Sequence, residues 1–236
     1  MIENQGTITR TTEDKGRHYT IDGKDYPSVT SILQYYPKSE GFWRWKFTNP
    51  DSKKLFEDAG EYGTNVHKTI EKTFRKYLNL SEYLDLSENE RKSVDLFTQW
   101  ITNLQDTHKV EIIDVEKMVI NKEEGYAGTI DLIVKIDGQL WIVDIKTSKS
   151  TWITQELQLS AYKHALESIN KEPIDLMFDK ENPRPYFTHK KEHDINYKLA
   201  LLHINHNLDN YEFKEVEDKF ELFLAVFKIF KYENSK

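Results

Sequence analysis

The chain of 236 residues is 38% hydrophobic and 31% charged, which is typical of a folded globular protein and argues against wholesale disorder. It contains no cysteine, which excludes disulfides, a catalytic thiol, thiolate zinc sites and cysteine-ligated iron–sulfur clusters. The net charge of −7 argues against tight, nonspecific binding to duplex nucleic acid.

Neither a membrane segment nor a secretory signal is evident. No apolar run approaches the ~18 residues of a membrane span, and the N-terminus is polar. We therefore expect a cytoplasmic protein with no membrane association. No repeat or clear linker interrupts the chain, so we expect one domain with an N-terminal segment 1–50, a core 51–170 and a C-terminal hairpin and helix 171–236.

The N-terminal segment predicts little regular structure. Residues 1–19 are polar and predicted to be irregular. A short hairpin is predicted around Asp22-Gly23. Ser28 or Thr30 would cap a short helix after it.

Residues 42–46, Phe-Trp-Arg-Trp-Lys, interleave aromatic and basic side chains. Such a segment can stack bases beside phosphates, in which case Trp43 and Arg44 would contact nucleic acid. The same segment also fits an amphipathic helix that packs Trp43 or Trp45 into the core. The sequence alone leaves both interpretations open.

Apolar residues at helical spacing predict a long helix over 52–79. Gly63, His67 and Glu71 recur every four residues and therefore lie on one face of that helix. A glycine inside a helix costs about 1 kcal/mol relative to alanine, and close approach of a ligand or another backbone would account for it. A lone histidine on a helix is usually a surface or internally satisfied residue, so His67 by itself predicts no site.

A second helix and a strand follow. Ser87 and Glu90 have the spacing of a capping box, which predicts a helix start at Ser87. Residues 109–120 predict a strand that contains Glu116. Glu116 is either part of a polar site or a surface charge near the strand end, and both remain open.

Two apolar segments, 130–136 and 140–145, flank Asp137-Gly138. Asp-Gly between such segments is a strong signal for a two-residue hairpin turn. The turn sets the register, so residues whose numbers sum to 275 face each other across the hairpin.

This register places three charged residues together on one face. Asp131 lies opposite Asp144, with Cβ atoms ~5 Å apart, and Lys146 shares their face. Like charges opposite each other destabilise a sheet, and buried carboxylates need partners. Either Lys146 pairs with one aspartate and the other lies at a wet strand end, or both aspartates hold a divalent cation.

Apolar residues on both faces of the hairpin predict central strands that helices cover on both sides. A helix over 154–170 follows, with Gln158 and Tyr162 four residues apart on one face. The remaining elements predicted are strands over 199–204 and 211–216 and a final helix from Asp218, which together give an α/β class.

The order of these elements and of their polar residues resembles the PD-(D/E)XK nuclease superfamily, and within it the RecB-like exonuclease branch. Each motif alone is common by chance, whereas five in this order on the expected elements form a specific joint signal. The segment 27–33, PSVTSIL, is also similar to the mitochondrial genome maintenance exonuclease and its phage relatives. The resemblance covers about residues 60–165 and rests on Gly63–His67, Glu116, Gly128–Asp131, Asp144–Thr147 and Gln158–Tyr162.

The resemblance implies a restriction-endonuclease-like core, a central mixed β-sheet flanked by helices. It also implies phosphodiester hydrolysis with one or two Mg²⁺ or Mn²⁺ ions. Asp131 and Asp144 would hold the metal together with the carbonyl of Ile145. His67 would be a further ligand, which suits Mn²⁺, and Glu116 would hold a second metal or a water molecule.

The resemblance also assigns roles beyond the metal. Lys146 would position the attacking water and stabilise the charge that develops on the phosphorane. Gln158 and Tyr162 would support the site and contact the phosphate of the cleaved strand. Without cysteine, the chain is a poor match to the iron–sulfur subgroup.

The substrate implied is DNA, single-stranded or with a free end, degraded by an exonuclease to 5′-phosphate products in recombination, repair or replication. Trp43, Arg44 and Lys149 would guide the strand, with a solvated surface as the alternative. A structure-specific endonuclease and a noncatalytic nucleic-acid-binding module are the other functions considered. The sequence does not specify an oligomeric state.

Overall fold

A computed structural model describes residues 9–13, 16–21, 23–75, 79–148, 150–171 and 196–235. The helices and strands within these residues have the following order: β1 (Thr9–Glu13), β2 (Gly16–Ile21), β3 (Lys24–Pro27), α1 (Val29–Leu33), α2 (Glu40–Thr48), α3 (Ser52–Phe74), α4 (Leu80–Leu84), α5 (Glu88–Thr107), β4 (Val110–Asn121), β5 (Tyr126–Ile136), β6 (Gln139–Lys146), α6 (Ile153–Lys171), β7 (Tyr197–Asn205), β8 (Asn210–Val216) and α7 (Phe220–Asn234).

The core is a five-stranded mixed sheet in the order β4-β5-β6-β7-β8. Neighbouring strands are antiparallel except β6 and β7, which are parallel. Parallel neighbours need a crossover connection, and α6 lies within the one that joins them. The predicted α/β class with a central mixed sheet is therefore confirmed.

Helices cover both faces of this sheet, as the apolar pattern of the hairpin predicts. One face packs against α1, α6 and α7 and buries Ile142 with Leu157 and Phe223. The other face packs against α3 and α5 and buries Val143 with Val66. The two layers place α3 and α6 on opposite sides of the central strands.

The β5–β6 hairpin has the register that the Asp-Gly turn predicts. Asp137 and Gly138 both have positive φ, 48° and 89°, and Ile136 pairs with Gln139. Asp137 also accepts from the backbone N–H of Lys109 at 2.9 Å, which ties the turn to the start of β4. The paired residues end at Leu132 and Val143, so the strands separate just before the two aspartates.

The N-terminus contains more structure than the sequence predicts. The hairpin around residues 22 and 23 is confirmed, because β2 and β3 pair with Ile21 opposite Lys24. Residues 9–13 and 16–18, predicted to be irregular, instead belong to β1 and β2 of a three-stranded sheet. Polar side chains hide this signal, although threonine, which recurs in β1, favours strands.

The helix predicted over 52–79 also differs from the structure. The helix α3 ends at Phe74, and a separate short helix, α4, begins at Leu80. The side chain of Asn79 caps α4 and forms a capping box with Glu82, which explains the break. The buried apolar residues of α3, Val66 and Ile70, lie in its second half. Leu55 and Phe56 in its first half are exposed.

Two predicted helix caps are confirmed. Ser28 caps α1 by accepting from the N–H of Ser31, and Ser87 forms the capping box with Glu90 at the start of α5. Among the helices that the structure describes, none combines the length and apolar character that crossing a membrane requires.

Candidate metal centre

A cluster of His67, Glu116 and Asp131 lies where the central strands meet α3. The Nδ1 atom of His67 is 3.5 Å from Asp131 Oδ1 and 3.7 Å from Glu116 Oε1. One ligand atom from each residue lies within 4.8 Å of the others. The structure therefore brings together two carboxylates and an imidazole from three different elements.

The backbone of Glu116 is strained. Its φ of 51° lies in the left-handed region, although it is neither glycine nor in a turn. It sits between Val115 and Lys117, which pair with Leu132 and Ile130 of β5. Such a conformation costs about 1–3 kcal/mol and often marks a functional site. Here it accompanies a carboxylate directed at His67, which favours the site interpretation of Glu116 over a surface charge.

Asp131 and His67 both contact the backbone of Ile145. The N–H of Ile145 donates to Asp131 Oδ2 at 2.8 Å. The carbonyl oxygen of Ile145 accepts from Nε2 of His67 at 3.0 Å. These contacts are possible because β5 and β6 have separated at this point. The N–H of Ile145 is therefore not bonded to the backbone of β5 and can donate to the Asp131 side chain.

Asp144 is 1% exposed and pairs with Lys146. The Lys146 ammonium lies 2.9 Å from Oδ1 and 2.8 Å from Oδ2. Only the contact to Oδ1 has hydrogen-bonding geometry, and Oδ2 is buried without a hydrogen-bond donor. Both aspartates thus have a cationic partner in the protein, Lys146 for Asp144 and His67 for Asp131, and one acceptor oxygen remains unused.

A chain of polar contacts runs from Lys146 into α6. Lys146 Nζ donates to Gln158 Oε1 at 3.4 Å, and Gln158 Nε2 donates to the Tyr162 hydroxyl at 2.9 Å. Tyr162 is only 3% exposed, and its ring covers the backbone of Gly128. Gln158 and Tyr162 of α6 thus hold the Lys146 ammonium through a chain of hydrogen bonds.

Burial and charge act in opposite directions on His67 and Asp131. Burial lowers the pKa of His67, but the neighbouring Asp131 and Glu116 outweigh it and raise that pKa to about 10. Burial raises the pKa of Asp131, but His67 and Lys146 outweigh it and lower that pKa to about 2. Without a metal the two residues therefore form an imidazolium–carboxylate pair at neutral pH.

In the Asp144–Lys146 pair, both pKa values are raised. Burial raises the pKa of Asp144 to about 7, and the Asp131 charge adds to it against the pull of Lys146. Burial lowers the pKa of Lys146, but Asp144 and Asp131 outweigh it, so the net shift is upward. Lys146 therefore stays cationic throughout the physiological range.

These residues fit a divalent cation. Hard divalent ions prefer oxygen ligands and accept an imidazole nitrogen. The unused Oδ2 of Asp144 offers a free lone pair beside the cluster.

Arg17 is a basic residue near the site that the sequence did not single out. Its charge acts on Lys146 and opposes the upward shift of that pKa. Its backbone is fixed against α1, where its carbonyl accepts from Ser28 and from the hydroxyl of Ser31. Among the side chains that the structure describes, none forms an ion pair with Arg17. Arg17 lies in a segment predicted to be irregular, so the sequence contained no signal that would place it near the site.

Trp43 and Arg44, two of the predicted guiding residues, are not members of this cluster. Trp43 and Arg44 belong to α2, which has no buried residue, and Lys149 lies outside the described residues. Trp43 is 42% exposed and Trp45 38%, which excludes the alternative interpretation that one of them packs into the core.

Comparisons with known proteins give one family. A model of the PD-(D/E)XK nuclease superfamily matches residues 33–192, more than half of the chain. A search of curated proteins finds no match. A solved structure described as the crystal structure of SSO0001 aligns over 71% of this chain and 71% of its own, at 14% identity and a TM-score of 0.34. A likeness at that score carries no argument about fold or function.

Proposed function

This chain belongs to the PD-(D/E)XK nuclease superfamily, and from that premise we propose that it is a metal-dependent DNA exonuclease of the RecB-like branch. It would act inside the cell as one domain on single-stranded or free-ended DNA, leave 5′-phosphate products and serve recombination, repair or replication. The observation that carries this proposal is the cluster of His67, Glu116 and Asp131 beside the cation of Lys146.

Five groups would hold Mg²⁺ or Mn²⁺: His67, Glu116, Asp131, Asp144 and the carbonyl of Ile145. When bound, the ion would neutralise the phosphodiester and acidify a water molecule. The imidazole of His67 must lose a proton before it can serve as a ligand, because its pKa of about 10 keeps it protonated. Asp144 must likewise be ionised to bind the metal through its Oδ2, because burial raises its pKa to about 7 and leaves the carboxyl partly protonated at neutral pH.

Lys146 would act as a cation and not as a base. Its pKa is raised, because the two aspartates outweigh the effect of burial, so it has no free lone pair at neutral pH. Its ammonium group is held by Asp144 and Gln158 and would stabilise negative charge on the phosphoryl oxygens. Arg17 is a second cation placed to attract the substrate phosphate.

Gln158 and Tyr162 would position Lys146. Both are at least nine-tenths buried, and Gln158 bridges the Lys146 ammonium and the Tyr162 hydroxyl. Because both side chains are buried, this positioning role fits them better than direct contact with the cleaved strand.

The test is cleavage of end-labelled DNA in single-stranded, duplex and circular form with Mg²⁺ or Mn²⁺. We expect degradation from free ends, none of the circle, and none in EDTA. Asp131→Asn and Lys146→Met should remove the activity. Cutting of circular DNA would instead identify a structure-specific endonuclease, and binding without cleavage would identify a noncatalytic module.

A further inference from the structure

An exposed aromatic groove lies beside α2. It has a volume of about 550 Å³, and its wall includes four aromatic residues and two lysines: Tyr35, Tyr36, Phe42, Trp43, Lys38 and Lys46. Among the described residues no carboxylate lines it, although the whole chain has a net charge of −7. The groove is therefore a locally basic, aromatic surface on an acidic protein.

Trp43 of this groove has cationic and aromatic neighbours on α2. The Lys46 ammonium lies 5.3 Å from the centre of the Trp43 ring. Trp43 also stacks on Phe47, with ring centres 6.0 Å apart and planes 22° apart. Flat rings beside ammonium groups suit nucleotides, whose bases stack while their phosphates attract the cation.

The groove connects to α3 through aromatic contacts. Phe56 of α3 lies 6.0 Å from Phe42 and 5.4 Å from Trp45, measured between ring centres. Phe56 and His67 are eleven residues apart, which is three helical turns plus about 20° and a rise of about 16 Å. The face of α3 that carries the metal-cluster histidine therefore also carries Phe56.

Two glycines, Gly60 and Gly63, lie between Phe56 and His67 on this face. A Cβ at Gly60 would meet nothing within 4 Å, and one at Gly63 would meet only Thr147 Oγ1 at 3.6 Å. Neither glycine has positive φ. The face is thus open at Gly60, and at Gly63 the Thr147 hydroxyl is its one near neighbour within 4 Å among the described residues.

Glycine inside a helix costs about 1 kcal/mol relative to alanine. At Gly60 the described structure offers neither a packing contact nor a backbone conformation that accounts for this cost. Close approach of a ligand to the helix does account for it, since any side chain at these positions would stand in the ligand's path.

We propose that a single strand of nucleic acid lies along this glycine-bearing face of α3 and stacks its bases in the aromatic groove, so that its end reaches His67 and the metal cluster. This inference rests on the proposed function and adds the path of its substrate. Two lysines without a carboxylate favour a polyanion over a protein segment as the occupant. Aromatic rings that bases can stack on favour a single strand, whose bases are unpaired and free to stack there.

The test is binding of fluorescein-labelled oligo-dT of 20 nucleotides, measured by anisotropy in EDTA so that no cleavage occurs. Trp43→Ala should weaken binding about 5- to 150-fold, the equivalent of one lost stacking contact. Trp43→Phe keeps a flat ring and should retain most of the affinity. A 20-base-pair duplex should bind more weakly than oligo-dT, and oligo-U provides the RNA arm.

Gly60→Leu obstructs the face and should weaken oligo-dT binding at least about fivefold. Its matched control is Asp58→Leu, which adds the same side chain to the opposite, exposed face of α3 and should leave binding no weaker. Circular dichroism shows that each variant keeps its helices. Wild-type affinity in both Trp43→Ala and Gly60→Leu would overturn the inference.

The two proposals fail separately. Cleavage of DNA by the wild type, together with unchanged binding by the groove variants, overturns the path but leaves the nuclease intact. Binding that depends on Trp43 and Gly60, without cleavage in Mg²⁺ or Mn²⁺, supports the path and contradicts the nuclease.

Discussion

Gly128 lies against the ring of Tyr162, so that a Cβ at position 128 would be only 2.3 Å from Cε1 of that ring. No side chain fits in this space, and the ring itself is held by Gln158 and by the packing of α6. The Gly-x-x-Asp motif therefore has a steric cause in this chain. Glycine three residues before Asp131 lets α6 come close enough for Gln158 to reach Lys146.

Gly128→Ala should destabilise the protein by about 1–3 kcal/mol, as overpacking of a filled core does. It should also lower DNA cleavage, because displacement of Tyr162 moves Gln158 and Lys146. Chemical denaturation and end-labelled cleavage measure the two effects. Gly60→Ala is the matched control, and we expect it to stabilise α3 by about 0.5–1 kcal/mol because the site has room. Equal stability of both variants would contradict the steric explanation.

Glu116 provides a test of backbone strain. Glu116→Gly and Glu116→Ala both remove the carboxylate, but only glycine adopts a φ of 51° without steric cost. We therefore expect the glycine variant to exceed the alanine variant in stability by about 1 kcal/mol. Both should bind Mn²⁺ more weakly than the wild type in calorimetric titrations. An alanine variant as stable as the glycine variant would show that the backbone at 116 is not strained.

Metal affinity should rise with pH. His67 has a pKa of about 10 and must release its proton to become a ligand, so protons compete with the metal at every pH below that value. Asp144, with a pKa of about 7, adds a second proton below neutrality. We expect the apparent dissociation constant for Mn²⁺ to fall about tenfold per pH unit between pH 7 and 8, and more steeply between pH 6 and 7. A constant value across this range would exclude His67 as a ligand.

Removal of Lys146 should have a pH-dependent cost. Lys146→Met leaves the buried carboxylate of Asp144 without its cation, which further raises a pKa that burial already lifts to about 7. Because the folded-state pKa then lies above that of the unfolded chain, the variant loses stability as pH rises from about 4 through the folded value. We expect a larger deficit relative to wild type at pH 8 than at pH 5 in thermal unfolding. The double variant Asp144→Asn with Lys146→Met should recover much of it, and a pH-independent deficit would contradict this account.

The sequence could predict the central hairpin because its signals are local. Asp137 and Gly138 specify a two-residue turn, and the apolar residues beside them specify two buried faces. The same register argument failed at its last step. It predicts that Asp131 and Asp144 face each other in a ladder, whereas the ladder stops one pair earlier and Asp131 accepts from Ile145.

Other features depend on contacts between distant parts of the chain and leave no local signal. Arg17 comes near Lys146 only because a polar segment forms β2, and the strain at Glu116 arises from its place between two paired residues. The exposed start of α3 is a third example. Periodicity shows that Leu55 and Phe56 share a helix face, but it does not show whether another element covers that face.

The turn at Asp137 sets the alignment of three strands at once. Its backbone closes the β5–β6 hairpin, and its carboxylate holds the first residues of β4. Asp131 lies six residues away, about 20 Å along the strand. A slip of one residue at the turn would send the carboxylates of Asp131 and Asp144 to the opposite side of the sheet. A substitution at the turn can therefore disrupt the cluster of His67, Glu116 and Asp131 by misalignment alone, with all three residues still present in the chain.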